Sequence, residues 1–176
     1  EDRFAALAGH KVFTSHYHVE HTLDLLQRRK AAASEALPAE LRNPGFVRAF
    51  RAAGVDIVHL GEFHNGQTPK LGADERLKQL RLMHAECARL SDEKFLLLPG
   101  EEPNVHLGGH WISFFPKPVL WVLNRPAGAP FVTTTPEGET LYQVGSPADV
   151  LELMQRERGL MWAAHARIKS TIGYPD

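Results

Sequence analysis

Ten histidines are distributed along the 176 residues of this chain, and several of them follow short apolar runs. His16 and His18 are two residues apart, so on a β-strand both imidazoles point to the same face and could bind one metal ion. Two histidines at this spacing also occur by chance, so the pair alone is weak evidence. His21 and Asp24 follow directly and could supply a further ligand from a loop, although a solvated position is the favoured interpretation for His21.

A second apolar run, from Val55 to Leu60, leads into Glu62 and His64. His64 stands where the predicted strand passes into a loop and is a candidate ligand. Glu62 is a candidate ligand too, or a carboxylate that orients a ligating histidine. His59 lies inside the apolar run, and we predict that it is a core histidine with satisfied hydrogen bonds rather than a ligand.

Two adjacent glutamates, Glu101 and Glu102, follow a third apolar run. Carboxylates are costly to bury unless a cation neutralises them, and a metal ion would do so. Neighbouring side chains on a strand face opposite ways, so only one of the two should point into a site. His106 and His110 come next, and the sequence does not decide which of the two is a ligand. His165 follows a last apolar run. Such convergence of imidazole and carboxylate groups, without thiolate, predicts a cluster of divalent ions such as zinc, manganese or iron.

The elements that must position these residues are predicted from the spacing of apolar residues and from cap signals. Alternating strands and helices favour an α/β domain with a parallel sheet, in which ligands bind at the carboxyl ends of the strands. A Pro-, Gly- and Thr-rich segment at about 124–145 is predicted to be an excursion from this pattern, and a hairpin is one form that it could take. Strands are predicted at 11–18, 55–60, 94–99, 110–115, 119–123 and 160–164, and helices at 38–53, 73–90 and 146–159.

Length and composition favour one globular domain, 1–176, with a single core, since 43% of the residues are hydrophobic and 23% are charged. The net charge of -1 and the absence of long runs of like charge favour a small-molecule partner over nucleic acid or a membrane. The single cysteine, Cys87, is predicted to be a packing residue. The apolar runs are too short for a bilayer and no signal peptide is recognised, but the chain starts without methionine, so a cytoplasmic and an exported location both stay open. The oligomeric state is open as well.

Five motifs, in their order and spacing, resemble the PHP superfamily, the polymerase and histidinol phosphatase metallohydrolases, over nearly the whole chain. The end of the sequence, with the Gly-Glu-Glu and Gly-Gly-His motifs, is most similar to the branch that includes carbaryl hydrolases. Ala166 departs from the family, where proline is usual, and the family's last motif, Asp-x-His, is not reached before Asp176, so a fragment or an incomplete site is expected. The five motifs are His16-Tyr17-His18, Phe63-His64, Gly100-Glu101-Glu102, Gly109-His110 and Ala164-His165.

The resemblance implies a fold and a ligand set. The fold would be a distorted (βα)7 barrel, incomplete at the C-terminus, with two or three divalent metal ions. Glu102 would bridge two of these ions, and His64, with Asp24, would approach a third. By similarity the ligands of one ion are His16, His18 and Glu102, and those of a second are Glu102, His110 and His165. His64 would be a ligand of the third.

The activity implied is hydrolysis of an ester, carbamate or amide-type bond by a metal-bridged hydroxide. His64 or His106 could carry the proton to the leaving group, because imidazole titrates near neutral pH. Arg167 and Lys169 could bind an anionic substrate or could simply be solvated. A phosphoesterase with the same metals is the alternative enzyme, and a non-catalytic metal- or ligand-binding domain is the alternative of another class. Three aromatic residues could line an apolar substrate wall or belong to the core: Tyr17, Trp111 and Trp121.

Overall fold

Residues 8–64, 73–103, 105–123 and 125–164 are described by a computed structural model of the chain, with residues 62–64 and 73–76 described by their backbone alone. Most predicted elements are found with slightly shorter bounds. Within these ranges the order is β1 (Phe13–Tyr17), α1 (His21–Ala32), a 3₁₀ helix (Ala39–Leu41), α2 (Gly45–Ala53), β2 (Ile57–Leu60), β3 (Glu62–His64), α3 (Ala73–Leu90), β4 (Leu96–Leu98), β5 (Gly100–Pro103), β6 (Trp111–Phe114), β7 (Leu120–Leu123), β8 (Val132–Thr134), β9 (Thr140–Val144), α4 (Pro147–Glu157) and β10 (Leu160–Ala163).

The contacts of the chain divide into two compact units, and the described residues of the first are 8–62 and 78–99. Its sheet has the order β1-β2-β4, and both strand pairs are parallel, as the sequence predicts. Strands β2 and β4 are short and rich in branched apolar residues, as expected for a parallel sheet, whereas β1 is more polar and only partly buried. The buried apolar residues of this unit are Leu25, Val47, Val55, Val58, Leu60, Leu80, Met83, Cys87, Leu90, Phe95 and Leu97.

The register between β1 and β2 shifts between Thr14 and Tyr17, a β-bulge or similar irregularity that is called the bulge below. Thr14 pairs with Val58 and Tyr17 pairs with Leu60, so β1 advances three residues while β2 advances two. The extra residue lies in the Ser15-His16 dipeptide, which faces the single residue between Val58 and Leu60 on β2. Such bulges bend a strand locally and redirect the side chains that follow.

The helices of the first unit differ from the prediction in two places. Helix α1 was not predicted, since its apolar residues are few among charged ones and the amphipathic signal is weak. The single predicted helix 38–53 is divided into the 3₁₀ helix and α2 by Pro44, which lacks an N–H and fits only at a helix start. Gly54 ends α2 in the left-handed conformation, with φ of 78°.

The second unit contains a sheet of order β10-β6-β5-β3 and a sheet of order β7-β9-β8. The predicted excursion forms the antiparallel hairpin of β8 and β9, and β9 then pairs parallel to β7. Helix α4 follows with Ser146 at its N-cap, where the hydroxyl accepts a hydrogen bond from the N–H of Asp149 at 3.2 Å. The core of this unit consists of Val105, Val119, Trp121, Tyr142, Val144, Val150 and Leu153.

The predicted (βα)7 barrel is wrong for this structure. The described strands form three small open sheets, and β6 runs antiparallel to both β5 and β10. Only residues 104–110 join β5 to β6, and a parallel crossover needs about a dozen or more residues, usually with a helix, so the two strands can only turn back on each other.

None of the helices in the described ranges has the length and apolar content needed to span a bilayer.

Candidate metal centre

His16 and His18 bring two imidazole nitrogens together at the end of β1. Their Nε2 atoms are 2.8 Å apart, and the two rings are nearly perpendicular, at 78°. Two nitrogens bound to one tetrahedral zinc ion at about 2.0–2.1 Å would lie roughly 3.3 Å apart. The pair therefore needs an adjustment of only about half an ångström to hold one ion, and without an ion the same approach is a hydrogen bond between the rings.

The orientation of the His18 ring is fixed from its other side. Nδ1 of His18 lies 2.5 Å from the carbonyl oxygen of Gly61, directly after β2. A carbonyl oxygen only accepts, so Nδ1 carries the proton and donates it. In the neutral ring the lone pair is then on Nε2, the atom that faces His16. Ligating histidines are commonly oriented in this way, by a main-chain carbonyl on the nitrogen that does not bind the ion.

The interpretation of His21 and Asp24 as loop residues is wrong, because both lie in α1. His21 is only 8% exposed, and its Nε2 lies 2.8 Å from Oε2 of Glu86 in α3. Asp24 accepts a hydrogen bond from Nε of Arg28 at 2.9 Å, one helical turn later. His21 is thus occupied within the first unit, and Asp24 has a basic partner on its own helix.

Glu86 is the centre of a buried charge network. Arg89 donates to both of its oxygens, at 2.8 and 2.6 Å, and also to the main-chain carbonyls of Leu41 and Arg42. Burial alone would raise the pKa of Glu86, but the hydrogen bonds from Arg89 and His21 and their charges outweigh it, so the pKa of this carboxyl is below its usual value. The network links α1 and α3 to the segment before α2, and sequence spacing alone gave no signal for it.

Glu101 and Glu102 lie in β5 of the second unit, and both are buried, at 3% and 1% exposure. Glu101 is opposite Ser113 of β6, which is opposite Met161 of β10, so these three side chains share one face of the sheet. Met161 packs against the apolar core of the unit, which places Glu101 on the core side. Glu102, on the next position of the strand, faces the other way.

Glu102 and His110 form the second pair of candidate ligands. Nδ1 of His110 lies 3.1 Å from Oε1 of Glu102 and donates to it. His110 is partly exposed, whereas His106 is exposed in the turn between β5 and β6. Of the alternatives that the sequence left open, Glu102 and His110 are therefore the two that contact each other.

His59 is fully buried, at 0% exposure, and its Nδ1 donates to the carbonyl of Ser15 at 3.1 Å. The predicted core position of His59 is confirmed. Trp121 is equally buried, in the core of the second unit, while the partly exposed Trp111 donates from its indole N–H to the carbonyl of Gly108 at 2.7 Å. Tyr17 packs edge-on against Phe50, with ring centroids 4.8 Å apart. The buried position of Cys87 confirms its packing role.

Several predicted site residues fall outside the described part of the chain. His165, Arg167 and Lys169 are among them, and the side chains of Glu62 and His64 are not described either. The roles predicted for these five residues stay predictions.

The chain has no matching family model, and no curated protein matches it significantly. The resemblance to the PHP metallohydrolases accordingly rests on the motifs of the sequence.

Proposed function

We propose that the protein is a metal-dependent hydrolase in which His16 and His18 are metal ligands. The observation that carries the proposal is the geometry of this pair, with Nε2 atoms 2.8 Å apart and the opposite nitrogen of His18 held by the carbonyl of Gly61. Two imidazoles prearranged in this way lose little conformational freedom when an ion binds. Packing gives no reason for them to converge, since His18 is exposed.

Glu102 and His110 are proposed as further ligands, as the sequence resemblance implies. Glu102 is 1% exposed, and a carboxylate in such a place is stabilised by a cation. Because Nδ1 of His110 donates to Glu102, the neutral ring has its lone pair on Nε2, the nitrogen that would bind an ion. Imidazole nitrogen and carboxylate oxygen together suit zinc, manganese or iron(II), so the donor set fits the ions that the motifs predict.

When bound, divalent ions would lower the pKa of a water molecule towards neutrality and polarise the bond to be cleaved. The residues of the chain have separate parts in this proposal. The carbonyl of Gly61 keeps the proton of His18 on Nδ1, so that Nε2 remains a donor of electrons. His106 is exposed in the turn that precedes His110, and in the proposal it carries a proton to the leaving group. His64, His165 and Arg167 retain the parts assigned by the sequence.

The proposal is tested by measuring hydrolysis of chromogenic aryl esters, aryl carbamates and phosphomonoesters by protein reconstituted with Zn²⁺ or Mn²⁺. We expect the double variant His16→Ala/His18→Ala to lose kcat/KM by at least about 100-fold, since even the outer partners of metal ligands are worth 10- to 100-fold. His10→Ala is the matched control, because His10 is exposed and its ring bonds locally, to the carbonyl of Ala8. It should keep the wild-type rate.

Equal rates for wild type and the double variant on every substrate would contradict the enzyme proposal. A rate confined to phosphomonoesters would replace the ester or carbamate substrate with the phosphoesterase alternative. Stoichiometric metal without turnover of any substrate would favour the non-catalytic binding domain.

A further inference from the structure

We infer that His59 is a positioning residue for the metal ligands of β1, an inference that rests on the metal-binding function proposed above. His59 is buried and is not itself a ligand in this assignment. Its ring donates a hydrogen bond to the bulge of β1 from which His16 projects, and the carbonyl of Gly61, directly after β2, accepts one from His18.

The bulge places His59 of β2 opposite Ser15 and His16 of β1. Between the pairs Thr14 with Val58 and Tyr17 with Leu60, β1 has the two residues Ser15 and His16 while β2 has only His59. A bulge removes a residue from the regular ladder, so its main-chain groups need other partners. The carbonyl of Ser15 has such a partner, because Nδ1 of His59 donates to it at 3.1 Å.

This hydrogen bond constrains His16 through the peptide plane. The carbonyl of Ser15 and the N–H of His16 belong to one planar peptide unit, so fixing the direction of the oxygen fixes the plane that enters His16. His59 can act as a rigid support because its ring is 0% exposed and therefore held by packing. The hydrogen bond is partly buried, and a partly buried carbonyl that lost its donor would be destabilised, which favours this one arrangement of the bulge.

His18 is held by the residue that directly follows β2. Nδ1 of His18 donates to the carbonyl of Gly61, two residues beyond His59. Strand β2 and the residue after it thus orient both candidate ligands, through the side chain of His59 and the main chain of Gly61. The 2.8 Å approach of the two Nε2 atoms is the combined result.

The test is the affinity of chelator-treated protein for Co²⁺ or Zn²⁺ alone, titrated by absorption of the bound cobalt and by competition with zinc. We expect His59→Leu to weaken metal binding by 10- to 100-fold, as is usual when a residue that orients a metal ligand is removed. Leucine has a similar bulk to histidine but no hydrogen-bond donor. His59→Asn should bind within about 3-fold of wild type, because its amide N–H can occupy the place of Nδ1, whereas His59→Gln extends its amide past that place and should resemble His59→Leu.

A purely structural role is separated by Val58→Ala, at a neighbouring residue of β2 that is also 0% exposed. This variant loses stability without losing the hydrogen bond to Ser15, so its metal affinity should stay at the wild-type value. Wild-type affinity in both His59→Leu and His59→Gln would overturn the inference. Equal losses of metal affinity in His59→Asn and His59→Gln would overturn the inference as well. Failure of the wild type itself to bind either ion would instead overturn the proposed function, and the inference with it.

Discussion

Trp121→Ala is expected to lower the free energy of unfolding by about 3–5 kcal/mol, the usual cost of removing a large aromatic side chain from a core. Trp121 has no exposed surface and lies in β7 opposite Tyr142 of β9, and its ring contacts Phe115 at a centroid distance of 6.2 Å. The cavity left by alanine would lie within the core cluster of this unit, whose side chains limit how far it can collapse. Trp121 is not one of the proposed metal ligands, so the loss should be the same with and without a bound metal.

Denaturant unfolding followed by circular dichroism measures this loss. Trp111→Phe is the matched control, since Trp111 is partly exposed and the change removes mainly the indole hydrogen bond to Gly108, worth about 1 kcal/mol. A loss under about 1 kcal/mol for Trp121→Ala would show that Trp121 is not a core residue and would reopen its assignment to a substrate wall.

Glu86→Ala is expected to lower the free energy of unfolding by about 2–4 kcal/mol at neutral pH. Removing one member of a buried ion pair costs about 3–5 kcal/mol, and the lower range allows for Arg89, whose side chain is 32% exposed and can be partly resolvated. The variant leaves His21, with a side chain only 6% exposed, without its carboxylate. Glu152→Ala is the control, because its pair with Arg156 on α4 is exposed and should change stability by less than about 0.5 kcal/mol.

The same network makes a prediction about pH. The pKa of Glu86 is lowered in the folded protein from its usual value of 4.5, so the folded state binds the proton less readily than the unfolded state. Its contribution is therefore complete above about pH 4.5 and is lost as pH falls from there through the lowered pKa. The stability difference between wild type and Glu86→Ala should be constant from neutral pH down to about pH 5 and should shrink below that. A difference that grows on acidification would contradict the assignment.

Local signals in the sequence were sufficient for many elements of the fold. Helix α3 has the bounds that its apolar stripe and acidic first turn predict, and Ser146 and Gly54 mark helix ends as their cap preferences indicate. Strand positions also followed from short apolar runs. These features depend on interactions within a few residues, so periodicity and cap chemistry are enough to locate them.

Features that depend on pairing between distant segments were not predictable in the same way. The apolar run of β6 is equally compatible with a parallel and an antiparallel neighbour, and only the short connection from β5 argues for the antiparallel pair that forms. From the sequence, Glu101 and Glu102 were equivalent candidates for the metal ligand. The register with Ser113 places Glu101 on the core side. His59 was predicted to lie in the core, but its hydrogen bond to Ser15 depends on a bulge that only the register reveals.

The central claim, that His16 and His18 bind a metal ion, is tested most directly by elemental mass spectrometry of purified protein after incubation with zinc, manganese or iron(II) and removal of unbound ions. Wild type and His10→Ala should each retain at least one equivalent of a divalent metal, and His16→Ala/His18→Ala and Glu102→Ala should retain less. Folded wild-type protein that retains no metal under these conditions, or a double variant that retains as much as wild type, would contradict the claim.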